Sequence, residues 1–184
     1  MKSIMYPEPY LDYLVQFHVE RDYFECHEIL EEYWKSAPPA ERQSVWVGLI
    51  QIAVGLYHHR RGNVNGARKM LTSAHALVKQ HHTELERLGL DSTTLERLLA
   101  VRLEEIEQGL PYRSITLPMR AAELIAAYKA ACAKQNQPEY RDSDMNDPFL
   151  LNKHTLRDRS DVLAERERQL QLRQGKQNDP DSAT

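Results

Sequence analysis

The sequence predicts an all-α fold: an antiparallel helical bundle of about five to six helices over residues 8–136, followed by a charged C-terminal extension over 137–184 that is helical or disordered. Three observations predict it. Apolar residues recur at spacings of three and four, as on one buried face of a helix. Residues that start helices (Asp22, Asn63, Asp91) and glycines that end them (Gly62, Gly89, Gly109) alternate at helical lengths. No useful stretch shows the alternating pattern of a strand. With 184 residues, of which 41% are hydrophobic, the chain is long enough for one domain with a core plus an extension.

The elements follow in order. Pro7 and Pro9 precede a short helix from about Tyr10 to His18, with Leu11, Leu14 and Val15 on one face. Asp22 reads as an N-cap, and Glu25 three residues on completes a capping-box pattern. That helix runs to about Ser36 and stops before Pro38 and Pro39. The next covers about Arg42 to Arg60 and closes at Gly62. Asn63 caps a helix from about Val64 to Leu88, whose Ala67, Leu71, Ala74, Val78, His81, Leu85 and Leu88 form a narrow seam. Asp91 or Ser92 opens a helix to about Gln108, and a last one spans about Met119 to Asn136. Beyond Pro138 the composition turns acidic and turn-rich, then highly charged, and the last ten residues are expected to be disordered.

Composition excludes several classes. The net charge is -3 and no dense Lys/Arg run occurs, so no nucleic-acid partner is expected. Cys26 and Cys132 form no CxxC pair, which argues against a disulfide scaffold and a cysteine zinc site. The longest apolar stretch, Val45 to Tyr57, is too short to span a bilayer. The first residues lack the apolar core of a signal peptide, so the expected location is cytoplasmic, with no membrane partner.

Two helices carry the residues that could do chemistry. On the helix after Asp22, His27 and Glu31 are four apart and Glu28 and Glu31 three apart, so these side chains share a face. The helix after Arg42 carries no acid or base other than its histidines between Ser44 and His59 and is apolar almost all round, as a central helix would be. One stripe breaks it: Ser44, Gly48, Gln51, Gly55 and His58. Buried Gln51 and His58 need hydrogen-bond partners, since an unpaired buried polar group costs about 1–3 kcal/mol. The nearest candidates are His27, Glu28 and Glu31, which places the stripe against the preceding helix.

That polar cluster of His27, Glu31, Gln51 and His58 is expected to be structural. Alternatively His27, Glu28, Glu31 and His58 supply a donor set suited to a divalent metal such as Zn, Mn or Fe, or an acid–base pair. An HExxH zinc motif is absent because position 31 is Glu, and no GxxxxGK[ST], GxGxxG or GxSxG loop occurs. The run His58-His59-Arg60-Arg61 reads as a basic helix end that complements the helix dipole. His81 and His82 read as one packing and one solvent-facing residue.

The stretch Asp22-Tyr23-Phe24-Glu25-Cys26-His27-Glu28-Ile29-Leu30-Glu31, followed by Trp34, resembles the opening motif of the family catalogued as domain of unknown function 309. Its second motif is similar to Gly48 through Val54, then Tyr57-His58, Gly62-Asn63 and Gly66-Ala67. The resemblance covers about residues 15–80 and implies a small all-helical protein with a family-like core over about 15–90. It places His27, Glu28, Glu31, Trp34, Gln51, His58, Gly62 and Asn63 at motif positions. More loosely, Gly55, Gly62, Ala67, Leu71 and Ala74 are spaced like one tetratricopeptide hairpin, which implies close antiparallel packing of two helices.

The functional expectation is a cytosolic helical domain that works through a protein partner or self-association. The alternative is a metal- or ligand-dependent, hydrolase-like enzyme using His27, Glu28, Glu31 and His58.

Overall fold

The computed structural model describes residues 6–156, 167, 168 and 170–173 of the chain. It divides into two compact units, Met1–Asn152 and Lys153–Thr184. The first contains α1 (Glu8–Val15), α2 (Tyr23–Ser36), α3 (Ser44–Arg60), α4 (Val64–Gln80), α5 (His82–Arg87), α6 (Ser92–Glu107), α7 (Ala122–Lys134) and the short α8 (Pro148–Leu151). In the second, α9 spans Lys153–Leu156, and the described residues between 167 and 173 are helical and exposed. The fold is all-α. Among the described residues there is no strand, only an isolated antiparallel bridge between Leu90 and Met119.

Caps set the helix boundaries as expected. Asp22 accepts the Glu25 N–H, Asn63 that of Gly66 and Asp91 that of Thr94. Gly62 and Gly89 take φ of +83° and +84°, the left-handed conformation that ends a helix and that side chains with a Cβ resist. α1 does not simply run on to His18. Residues Gln16–Glu20 form a π-helical turn, and Arg21 follows with φ +54°.

Helix α3 is central, as its apolar circumference demands. Its buried Leu49, Ile52, Ala53 and Leu56 meet a core built from Tyr10, Tyr13, Phe17, Tyr23 and Leu30. The buried phenol of Tyr13 donates to the Leu49 carbonyl at 2.8 Å, which pins α1 to α3. The α2–α3 pair is antiparallel: Tyr33 packs on Trp46 at one end and Phe24 on Tyr57 at the other.

The α3–α4 pair is antiparallel too, and its register corrects the sequence reading. Ser44 meets His81, Gly48 meets Leu77, Gly55 meets Leu71, and His58 meets Asn63 and Gly66. The stripe of small and polar residues therefore faces α4, not α2. A Cβ on Gly55 would lie 2.6 Å from Leu71 Cγ and Cδ2, so glycine is there to let the two backbones approach. The helix expected over Val64 to Leu88 is broken at His81 (φ −112°, ψ 36°) although neither Gly nor Pro stands there. Side chains impose the break: Ser44 holds the His81 ring, while Ser92 and Glu96 hold that of His82.

Candidate functional site

On α2 the structure brings His27, Glu28 and Glu31 together. His27 Nε2 lies 2.5 Å from Glu31 Oε2, and its Nδ1 lies 3.7 Å from Glu28 Oε1. Lys35 pairs with the other oxygen of Glu31. The Lys35 hydrogen bond, helped by His27, holds the Glu31 carboxyl below its ordinary range. His27 and Glu31 are each 30% exposed, so this is a surface network on one helix.

Gln51 and His58 sit elsewhere. His58 Nδ1 is 3.3 Å from Asn63 Nδ2 at the α3–α4 turn. Gln51 Oε1 is buried without a hydrogen-bond partner among the described residues. Among those same residues, no three His, Cys, Asp or Glu side chains are grouped to hold a metal ion.

The polar core of the protein lies away from the α2 cluster, around three arginines. Arg21, Arg60 and Arg102 are all buried, and they point mainly at carbonyls. Arg21 donates to the Ile115 and Arg141 carbonyls at 2.6 and 2.7 Å. Arg60 donates to the Arg21 carbonyl, to Ser143 Oγ and to the Leu150 carbonyl at 2.7, 3.2 and 3.1 Å. Its guanidinium also stands 4.6 Å from the Tyr23 ring centre. Arg102 donates to Glu105 Oε2 at 3.1 Å and to the Arg113 carbonyl at 2.8 Å. Tyr112 joins the set, with its hydroxyl 2.5 Å from that of Tyr23 and 2.8 Å from Ser143 Oγ.

This arrangement straps residues 139–150 onto the bundle, and the compact unit accordingly runs to Asn152. Arg60 is thus a buried clamp and not only a helix-end cation. The one signal available in the sequence was its place at the end of the otherwise apolar α3.

A third feature faces outward. The exposed side of α1 and α7 forms a groove of about 620 Å³. Leu11, Ala127, Ala130 and Ala131 make its apolar floor, and Glu8, Asp12 and Lys134 stand at its rim. Burial, with Glu8 beside it, raises the Asp12 carboxyl above its ordinary range. The inward side of α7 carries Leu124, Tyr128 and Cys132. Glu123, Ala127, Ala130 and Lys134 are spaced four, three and four, so they form one row along the helix, of which the last three line the groove and Glu123 stands one turn before them. The row has an acid at its start, a base at its end and two alanines between. Such a face can seat a second helix closely, because methyl side chains hold nothing between the backbones. Among the described residues, no helix is long and apolar enough to cross a membrane.

Comparison with known proteins gives two matches. The family described as Domain of unknown function (DUF309) matches residues 10–70, which hold the whole of α2 and α3. The chain is also 47% identical to the "Uncharacterized protein YpuF" of Bacillus subtilis (strain 168) over 169 residues, 92% of this chain and 97% of the relative. No solved structure matches significantly.

Proposed function

The chain belongs to the DUF309 family, and from that premise we propose that it works through protein contacts, self-associating through the α1–α7 groove as a two-fold dimer. The observation that carries this reading is the row Glu123, Ala127, Ala130, Lys134 along α7, whose last three members line the groove. Two copies of α7 packed antiparallel place Glu123 opposite the partner's Lys134 and Ala127 opposite the partner's Ala130. The row is therefore its own complement under a two-fold axis, which an isologous interface requires. Acid meets base twice, and the alanines meet at the centre, where close backbone approach gains dispersion contacts. Leu11 on α1 adds the larger apolar side chain beside them.

The His27–Glu28–Glu31–Lys35 network and the buried arginines serve the protomer in this reading. The first stabilises α2 and the second holds the strap.

Light scattering coupled to size exclusion tests the proposal. The wild type is expected to elute as a dimer whose fraction falls on dilution. Ala130→Glu places a charge at the centre of the pairing and is expected to give a monomer with unchanged helical circular dichroism, since Ala130 is exposed in the protomer. A wild type that stays monomeric at its highest soluble concentration overturns the proposal, and so does a dimer indifferent to Ala130→Glu.

A further inference from the structure

A separate cavity of about 430 Å³ lies between the start of α3 and the α4–α5 junction. Three of its lining residues come from three different elements. Ser44 is the first residue of α3 and is exposed. His81 is the non-helical residue between α4 and α5, and Glu84 stands on α5. Ser44 Oγ lies 3.0 Å from His81 Nε2, and on the other side of the ring His81 Nδ1 lies 3.5 Å from Glu84 Oε2. That is the order nucleophile, base, carboxylate. The break at His81, which no Gly or Pro demands, is what turns the imidazole between the other two.

We propose that Ser44, His81 and Glu84 form an acyl-transfer site for small carboxylic esters that carry a negative charge. His81 with its proton on Nδ1 presents a bare Nε2 to the Ser44 hydroxyl, and the charge of the Glu84 carboxylate, 3.5 Å from Nδ1, favours that tautomer. Ser44 Oγ attacks the ester carbonyl carbon while its proton passes to His81 Nε2. The carbonyl electron pair moves onto oxygen, beside the N–H groups of the first turn of α3. The Trp46 N–H already bonds the Gln43 carbonyl at 3.3 Å, whereas those of Ser44 and Val45 have no acceptor within the helix and the N-cap Gln43 supplies no side-chain bond. The intermediate collapses, the ester C–O bond breaks and the departing alkoxide takes the proton from His81. Water then attacks the acyl-serine, gives its proton to His81 and releases the acid, and Ser44 recovers its proton. Arg87 lines the same cavity and selects an anionic acyl chain, Arg42 beside it being held by the Ala37 and Lys35 carbonyls, and Trp46 and Leu88 give it apolar walls.

A second serine–histidine–glutamate set shows what a purely structural version looks like. Ser92 Oγ is 2.9 Å from His82 Nδ1, and His82 Nε2 is 2.7 Å from Glu96. Ser92, however, is 1% exposed and its hydroxyl is already spent on Glu86 at 2.7 Å. No substrate reaches it, so Ser92 serves as the internal control.

The experiment is labelling with a fluorophosphonate probe, read by intact mass and peptide mapping, with ester hydrolysis alongside. One adduct is expected, on Ser44, lost in Ser44→Ala and retained in Ser92→Ala. His81→Gln is expected to slow labelling by roughly 10²–10⁴-fold. Glu84 is a positioning residue, so Glu84→Gln is expected to lower kcat for p-nitrophenyl hemisuccinate with KM unchanged, and Glu84→Asp to restore part of it. Hemisuccinate is expected to outrun p-nitrophenyl butyrate, with that preference lost in Arg87→Met. Absence of an adduct, or one that survives Ser44→Ala, overturns the site. Equal use of butyrate overturns the anionic substrate class.

Discussion

His18 shows what burial does to one side chain. Its Nδ1 donates to the Leu14 carbonyl at 2.8 Å, and its Nε2 accepts the Leu117 N–H at 3.0 Å, so both ring nitrogens are used only if the ring is neutral. Burial lowers its pKa from 6.5 to about 4. The unfolded chain takes up a proton near 6.5 and the native one only near 4, so stability is expected to fall as pH drops through that window. The loss is about 3 kcal/mol in all, levelling off below pH 4. Burial lowers His59 in the same sense. Denaturant titrations between pH 7 and 4.5 check this, and His18→Gln should flatten the slope.

Gly55 makes the opposite kind of statement, about space. Gly55→Ala is expected to cost about 1–3 kcal/mol by overpacking against Leu71, outweighing the gain in helix propensity of about 1 kcal/mol. Gly48→Ala, whose Cβ would sit 3.3 Å from Leu77 Cβ, is expected to cost less. Thermal denaturation of the two variants ranks them.

At the scale of elements, what could be read from the sequence depended on the kind of signal. Helix starts were legible because Asp22, Asn63 and Asp91 act on backbone N–H groups three residues away, a local interaction. The polar stripe of α3 was visible, but its partner was misjudged. Gln51 and His58 suggested charged partners on α2, whereas Gly48 and Gly55 set the packing by admitting α4. The break at His81 was illegible because Ser44 and Ser92, distant in sequence, cause it. The strap was illegible for the same reason: its anchors are backbone carbonyls, which carry no residue signature.

Arg60 supports three strap or loop acceptors at once, so Arg60→Met is expected to leave the Arg21 and Leu150 carbonyls unpaired and Ser143 held by Tyr112 and Ser114 alone. The estimated loss is about 2–4 kcal/mol, with residues 139–150 becoming open to protease before the bundle unfolds. Limited proteolysis followed by mass spectrometry reads this directly. Cleavage first within α3 or α4 would show that Arg60 holds the bundle and not the strap.

For the whole molecule, the expected division was a bundle over 8–136 and an extension over 137–184. The compact unit runs to Asn152, because the arginine core reaches out to the strap. The expected disorder of the last ten residues lies outside the described residues. The helical class was legible throughout, since periodicity is a property of each helix alone. The α1–α7 groove was not. It needs to be known that Leu124, Tyr128 and Cys132 turn inward before Glu123, Ala127, Ala130 and Lys134 can be seen as one outward row.

That row makes the central claim testable by charge exchange. Sedimentation equilibrium would compare the wild type with Glu123→Lys, Lys134→Glu and the double exchange. In a two-fold pairing each single change sets like charges against each other, while the double change restores acid against base. Weakened dimers are expected for both single variants, with recovery in the double. Three variants that all associate as the wild type does, or a double variant weaker than either single, would contradict it.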